Sequence, residues 1–340
     1  MSPAESAPLL VRIPNWLGDV VLALPVLESA AREPAVFVGP EALRELLEPR
    51  FPSVRYLAAG RDRRWGPLGD IRQAKPRAAL LLTDSLSSAI LMWRAGVPER
   101  IGYDAEWRGV LLTKRVARAG AARSISRTAE YVRLARAAGL GEVPSIPSLR
   151  VLPEEAERAA VLLARCGVGG ANYFVIAPGA SYGPAKQWRP ERFVHAASEI
   201  ARRTGRALAV VGAAEDRSAT AAVVQGARRA GARSIDLAGT TRLGELVGLL
   251  ARADAVLSND SGVMHLAAAL KRPTVAIFGS TSPVWTSAAV PWVANLYAAY
   301  PCSPCYRRTC PIGYGCLHSI APAKAAAALE RLVSGERASK

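Results

Sequence analysis

No run of roughly eighteen or more apolar residues occurs in the 340-residue sequence, so a membrane-spanning helix is not expected. The opening residues MSPAESAPLL have neither the basic n-region nor the apolar h-region of a secretory leader, which leaves the expectation of a cytoplasmic chain. Peripheral contact with a membrane surface stays open. Aromatic residues make up only 6% and do not interleave with basic runs, so the stacking platforms of a single-strand nucleic-acid binder are missing. There is no G-x-x-x-x-G-K-[ST] phosphate loop. Gly167-Val168-Gly169-Gly170 precedes a strand pattern instead of following one, which rules it out as a dinucleotide fingerprint.

Acidic residues are also few, 28 against 44 basic ones, giving a formal charge of +16. The excess is spread evenly: residues 1–150 hold 22 Lys+Arg and 15 Asp+Glu, the remainder 22 and 13. Counterion release rewards clustered cations, so this spread disfavours a nucleic-acid partner. Arginine far outnumbers lysine, and a coding bias towards arginine is the plain explanation. An anionic substrate or an anionic lipid surface is the better match to the charge. Half the residues are hydrophobic, enough for the packed cores of two α/β domains.

Read in order, the chain alternates apolar runs with helical patterns, as a parallel doubly wound sheet requires. Leu9 to Ile13 reads as a first strand, Pro14-Asn15-Trp16-Leu17-Gly18-Asp19 as a tight turn, and Val20 to Ala31 as a helix containing Pro25. Asp19 then lies at the carboxyl edge of the sheet, where such folds bind ligands. Two readings of it stand together, a helix N-cap and a catalytic base. Further strands are expected at 35–38, 54–57 and 78–82, and helices at 41–47, 85–94 and 125–138. Arg61-Asp62-Arg63-Arg64-Trp65 is a basic loop, a solvated face or a contact for acceptor phosphates. The Pro- and Gly-rich stretch Gly141 to Pro147 is the expected linker.

The second half restarts with a helix at 154–165 and a strand from Tyr173 to Ala177. After that strand, Gly179-Ala180-Ser181-Tyr182-Gly183 fits the G-x-S-x-G nucleophile elbow. The elbow needs its helix to start at once, whereas Lys186-Gln187-Trp188-Arg189-Pro190 reads as continued loop. A phosphate-cradling loop with Lys186 as its point charge accounts for the same residues. Beyond a strand at 207–212, Glu215 is placed to accept ribose hydroxyls, or with Asp216 to complement the dipole of the helix that follows to Arg229. A short strand at 235–237 and a helix at 243–251 come next.

The best-defined unit runs from Asp254 to Pro283. An apolar run at 255–257 stops at Ser258-Asn259-Asp260-Ser261-Gly262, a helical pattern follows from Val263 to Leu270, and a strand from Thr274 to Phe278 completes it. Its small polar turn lets backbone N–H groups at the helix start face an anion such as a diphosphate. His265, one turn into that helix beside Met264, is either a packing residue or part of the site. Four of the five cysteines, Cys302, Cys305, Cys310 and Cys316, crowd the C-terminal region. The first pair has metal-ligand spacing and the second does not, leaving zinc and reduced structural thiols as alternatives, the latter favoured. A last Ala-rich helix is expected at 323–333.

Four segments, in order, carry a resemblance: Pro14 to Asp19, Pro178 to Trp188, Asn259-Asp260-Ser261-Gly262-Val263-Met264-His265, and the Cys302 to Cys316 cluster. Together they resemble the lipopolysaccharide heptosyltransferases of glycosyltransferase family 9. The Trp-Leu-Gly-Asp form of the first and the Tyr-Gly-Pro-Ala-Lys form of the second favour the heptosyltransferase II branch. The resemblance implies an α/β GT-B fold, two Rossmann-like domains with parallel sheets facing a central cleft. It implies an acceptor-binding domain at 1–150, a donor-binding domain at 151–320, and a C-terminal helix within 321–340 that can pack back on the first domain.

It also implies transfer of L-glycero-D-manno-heptose from ADP-heptose to the first inner-core heptose of a lipid A-Kdo-heptose acceptor, with inversion and with no cofactor or required metal. By resemblance Asp19 is the general base, Lys186 stabilises charge on the departing diphosphate, and Ser261 and Gly262 give N–H groups to the same phosphates. Asp260 holds heptose hydroxyls with His265 lining that site, Glu215 takes the ribose, and Ser181 and Tyr182 touch phosphate or sugar. The enzyme is then expected at the inner face of the inner membrane, with no nucleic acid as partner. The alternatives are another family 9 heptosyltransferase acting at a different heptose position and, from other classes, a serine hydrolase built on Ser181 and a non-catalytic nucleotide-sugar-binding protein.

Overall fold

A computed structural model describes residues 7–59, 66–121, 123–170 and 172–335. The basic loop Arg61 to Trp65 falls outside the described residues. The chain divides into two units, 1–147 and 148–340, with the division at the end of the proline-rich stretch Gly141 to Pro147 read as a linker.

The first unit contains, in order, β1 (Leu9–Arg12), α1 (Leu17–Ala30), β2 (Ala35–Gly39), α2 (Arg44–Leu47), β3 (Arg55–Ala58), α3 (Leu68–Ala74), β4 (Ala78–Leu81), α4 (Leu86–Arg94), β5 (Glu99–Tyr103), β6 (Lys114–Val116) and α5 (Arg127–Ala137). All six strands are parallel, in the order β3-β2-β1-β4-β5-β6. Both faces of the sheet are covered, which is why its strands read as unbroken apolar runs. Leu10, Val36, Val38, Ala79 and Leu81 pack with Ile71 of α3 and with Ala89, Leu91 and Met92 of α4. Leu9 and Val11 alternate to the opposite face, on the side of α1 and α5.

The second unit continues with α6 (Pro153–Arg165), β7 (Tyr173–Ala177), α7 (Pro190–Thr204), β8 (Ala207–Val210), α8 (Arg217–Arg229), β9 (Ser234–Asp236), α9 (Leu243–Arg252), β10 (Ala255–Asn259), α10 (Gly262–Ala269), β11 (Thr274–Phe278), α11 (Pro283–Thr286), β12 (Val293–Tyr297), α12 (Gly315–His318) and α13 (Pro322–Val333). Its strand order, β12-β11-β10-β7-β8-β9, is the same doubly wound order traced from the other edge. Phe174, Ile176, Leu208, Val210, Leu257, Val275 and Ile277 form one core with Phe193 of α7, Val223 of α8 and Leu329 of α13. On the other face Ala276 and Phe278 pack with Met264 and Ala268 of α10. The last helix, for which the resemblance implied a return to the first domain, has its buried face, Ala325, Ala328, Leu329 and Leu332, in this core, against α7 and the strands β10 to β12.

This order creates one topological switch point in each sheet, between β1 and β4 and between β7 and β10. Successive connections leave to opposite faces there and open a crevice at the carboxyl ends of the strands.

Candidate functional site

At the second unit's switch point, two loops meet. After β7 the chain runs through Pro178 to Arg189 before α7 begins, with only a 3₁₀ turn at Pro184–Lys186. After β10 it turns within Asp260 and Ser261 into α10, whose N-cap is Ser261. Asn259, fully buried, ties the two loops together: its side-chain amide donates to the Pro178 carbonyl at 2.6 Å, and its oxygen accepts from the Trp188 N–H at 3.0 Å. Gly183 holds a backbone conformation suited to glycine (φ 140°), and a Cβ there would come within 2.8 Å of the Arg308 carbonyl.

This scaffold puts the Lys186 ammonium 2.6 Å from Asp260 Oδ2. Asp260 is 3% exposed, a burial that a carboxylate tolerates only with partners. Its Oδ2 also accepts from the Thr281 hydroxyl at 2.5 Å and from Thr286 at 3.4 Å. The Lys186 ammonium lies 4.8 Å from the centre of the Tyr182 ring, and the Arg308 guanidinium 5.6 Å from the same ring. The Tyr182 hydroxyl itself donates to the Tyr306 carbonyl.

His265 Nε2 stands 3.8 Å from Asp260 Oδ1, and its buried Nδ1 has no hydrogen-bond partner among the described residues. Burial pushes its pKa down to about 4; the Asp260 charge opposes this and the Lys186 charge adds to it. The imidazole is therefore neutral at pH 7 and balances no charge. A histidine depressed in the folded state binds fewer protons than when unfolded, so its stabilisation is complete above about pH 6.5 and is lost as pH falls towards about 4. The shift corresponds to a few kcal/mol, on the order of 3. Urea melts at pH 7 and pH 4.5 should show an acid-dependent loss of that order, which His265→Gln reduces. An unchanged pH dependence in the variant would contradict this.

Apart from His265, α10 is apolar, and Met264 to Ala269 are buried. Only Ser261, Gly262 and Val263 are partly exposed, where the first N–H groups of a helix have no intrahelical acceptor. Ser261 Oγ is 3.0 Å from Ser258 Oγ. The site thus combines a cation, backbone N–H donors at a helix start and a buried carboxylate, a set able to hold a diphosphate and sugar hydroxyls.

Not every expected residue joins it. Ser181 is exposed in a turn nine residues before α7, without the strand-to-helix elbow, and no histidine among the described residues is hydrogen-bonded to it. Glu215 is exposed on the 3₁₀ turn Ala214–Asp216 after β8, one strand further out. Its neighbour Asp216 has a structural task, accepting from the Ala213 N–H at 3.0 Å and closing on Gly179. Sequence reasoning missed Thr281, Thr286 and Arg308. Gly279-Ser280-Thr281 follows β11 as a small polar turn, a signal of the kind that located Asp260.

The cysteine-bearing segment braces this site. The Tyr306 N–H donates to the Ser280 carbonyl at 2.7 Å, and the Ala185 N–H to that of Arg308 at 3.0 Å. A Cβ on Gly279 would meet the Ala185 carbonyl at 2.6 Å, so the two turns lie against each other. Cys302 is exposed and Cys316 buried. Among the described residues no three His, Cys, Asp or Glu side chains are grouped to hold a metal ion. Backbone N–H groups of Ile312 and Tyr314 pull the half-buried Cys310 thiol below its usual pKa, while burial raises that of Cys316.

At the first unit's switch point, α1 begins at Leu17 with Trp16 as N-cap, so Asp19 belongs to the helix's first turn. This corrects the expected turn, which ran through Asp19, and removes the N-cap reading. The turn before it is braced by buried Arg12, which donates to Asn15 Oδ1 at 2.7 Å. Asp19 is about one-third exposed, with Arg127 Nε 4.0 Å from its Oδ1. Arg127 also meets Glu130 at 2.9 Å and Asp84 at 3.5 Å, and Arg118 joins the same two carboxylates at 2.8 and 2.7 Å. Burial, the largest influence, lowers the Arg127 pKa, but Tyr131, Asp19, Asp84 and Glu130 together outweigh it and leave it raised. Asp84, three residues past β4, faces Asp19 across the crevice through this arginine. None of these partners was foreseen.

Residues 70–314 match glycosyltransferase family 9 (heptosyltransferase). Over 307 residues the chain is 30% identical to lipopolysaccharide heptosyltransferase 2 of Salmonella typhimurium, covering 82% of this chain and 84% of that one. The structure of E. coli ADP-heptose LPS heptosyltransferase II superposes with a TM-score of 0.78 at 26% identity, covering 96% of this chain and 99% of that one. A family 9 transferase from Veillonella parvula shares the fold with a TM-score of 0.81 at 20% identity, covering 98% and 99%.

Proposed function

From the premise that this chain belongs to glycosyltransferase family 9, the heptosyltransferases, we propose that it moves heptose from ADP-heptose to the first inner-core heptose of lipopolysaccharide. The observation that carries this reading is the Lys186–Asp260 pair, set across the second switch point beside the exposed start of α10. In this reading the second unit is the donor's seat and the first unit takes the acceptor. Donor phosphates lie against Lys186 and the N–H groups of Gly262 and Val263, with Ser261 beside them. Asp260 and His265 face sugar hydroxyls, and Glu215 reaches the ribose. Ser181 and Tyr182 lie along the phosphate side.

Asp19 removes the proton from the acceptor hydroxyl as that oxygen attacks the anomeric carbon on the face opposite ADP, so configuration inverts. Lys186 has three N–H donors, and Asp260 occupies one, leaving others for the oxygen on which charge grows as ADP departs. No helix among the described residues is long and apolar enough to cross a membrane. The enzyme works in the cytoplasm, peripherally at the inner face of the inner membrane where its lipid-borne acceptor lies.

The deciding experiment is incubation with ADP-heptose and defined truncated lipopolysaccharides, followed by mass analysis. A gain of one heptose on the mono-heptosylated acceptor only is the expected result. Transfer to the heptose-free core instead would assign another position within the family, and donor binding without any product would leave a non-catalytic binding protein. Ser181→Ala is expected to lower transfer by no more than about tenfold, the loss of one neutral hydrogen bond. Abolished turnover, with labelling of the wild type by a serine-directed reagent, would revive the hydrolase reading.

A further inference from the structure

We infer that the first unit carries a docking face for an anionic lipid surface, built from α4 and the turn Arg108–Leu111. The inference rests on the reading that the acceptor is lipid-borne, and it names the surface that meets the lipid. α4 has the sequence LSSAILMWR and buries Ser88, Ala89, Leu91 and Met92. Its outward side carries exposed Ser87 and Arg94 and, beside them, an apolar stripe. Leu86 is 38% exposed, Ile90 is half-buried and Trp93 is 54% exposed. That spacing, i, i+4, i+7, lays one apolar stripe along a helix of about 13 Å.

The turn Arg108–Leu111 packs beside α4 and adds Trp107, 93% exposed, and Val110, 81% exposed. Glu106 and Trp107 both hold left-handed backbone (φ 50° and 63°), an unfavourable conformation for side-chain-bearing residues that the surroundings must maintain. Fully buried Arg108 does so, donating from Nε to the Tyr103 carbonyl at 2.9 Å and from Nη1 to that of Thr83. The tryptophan is therefore presented to solvent by a rigid anchor.

Cations surround the apolar stripe. Exposed Arg115 donates to the Gly109 carbonyl at 2.9 Å, and exposed Arg72 donates to the carbonyl of exposed Arg94 at 2.8 Å. Half-buried Arg100 donates to the Leu111 carbonyl. Against them stand Asp104, turned in towards Gly109, and exposed Glu106. Exposed tryptophans rimmed by arginines are the composition that settles in a headgroup layer. A second copy of this chain is the poorer occupant, because a two-fold interface would bring two arginine rims together. Because β4 and β5 follow β1 in the sheet, Leu86 and Trp107 start at the same carboxyl edge as Asp19.

The test uses the full chain in co-sedimentation with phosphatidylglycerol-containing and phosphatidylcholine vesicles. The wild type should bind the anionic vesicles, less so as salt is raised. Trp93→Ser/Trp107→Ser should lose about tenfold or more of that binding while keeping its melting temperature. The double variant should also keep its turnover on a deacylated, water-soluble acceptor and lose turnover on a vesicle-embedded one. Equal vesicle binding by wild type and variant would overturn the inference. So would a wild-type dimer in analytical ultracentrifugation that the variant loses, since a second copy would then cover the face. Vesicle binding is read without turnover, so a failure of heptose transfer would count against the proposed function and leave this comparison intact.

Discussion

Asp19→Ala is expected to lower turnover by about 10²–10⁴-fold, the usual contribution of a positioned general base. Affinity for ADP-heptose should stay at the wild-type level. The split follows from placement: Asp19 stands in the first turn of α1 at the first unit's switch point, while the groups proposed to hold the donor belong to the second unit. The fold should survive. The side chain is about one-third exposed, and loss of an acidic residue from a helix's first turn costs about 0.3–1 kcal/mol. Arg127, its neighbour, keeps Glu130 and Asp84 as partners, so no buried cation is stranded. Single-turnover transfer to a mono-heptosylated acceptor, paired with calorimetric titration of ADP-heptose, measures both quantities. Weakened donor binding with normal turnover would contradict the assignment and move Asp19 into the donor site.

The alternation of strand and helix was readable because strands at the centre of each sheet are covered on both faces and so appear as apolar runs. Tyr173–Ala177 and Thr274–Phe278 carry the same limits in sequence and structure. The strands that sequence did not disclose are β5, β6 and β12, towards the sheet edges. KRV and VANLY are charged or half-exposed, as edge strands are, and ERIGY, one strand in, opens on Glu99 and Arg100, so all three lack the apolar signature. Helix α1 was read as starting late for a different reason. Its N-cap is Trp16, with no side-chain cap bond, so the rule that seeks Ser, Thr, Asp or Asn at a cap settled on Asp19.

The site divides along the same line. Residues in small polar turns after central strands, Asp260 and Lys186 among them, were found because they interrupt an apolar pattern. Their partners were hidden because pairing is a tertiary fact. Nothing in the local sequence joins Arg127 of α5 to Asp19 of α1, or Thr286 to Asp260. The strand order supplies that information, since it decides which two loops border each crevice.

Lys186→Met carries the other large expectation, and its interpretation depends on Asp260. Removing the cation strands a carboxylate that is 3% exposed, with two threonine hydroxyls and a neutral histidine as its remaining neighbours. Breaking a buried pair in this way costs about 3–5 kcal/mol. The single variant should therefore melt lower, bind ADP-heptose about 10–100-fold more weakly, and turn over about 10²–10³-fold more slowly. A stability defect alone could mimic part of that loss. Lys186→Met/Asp260→Asn separates the causes: asparagine carries no charge and keeps an oxygen for Thr281, so the melting temperature should recover most of the way. Turnover should not recover, because the diphosphate still lacks its cation. If turnover returned with stability, Lys186 would be only the counter-charge of Asp260, and stabilisation of the leaving group would have to rest on the N–H groups at the start of α10.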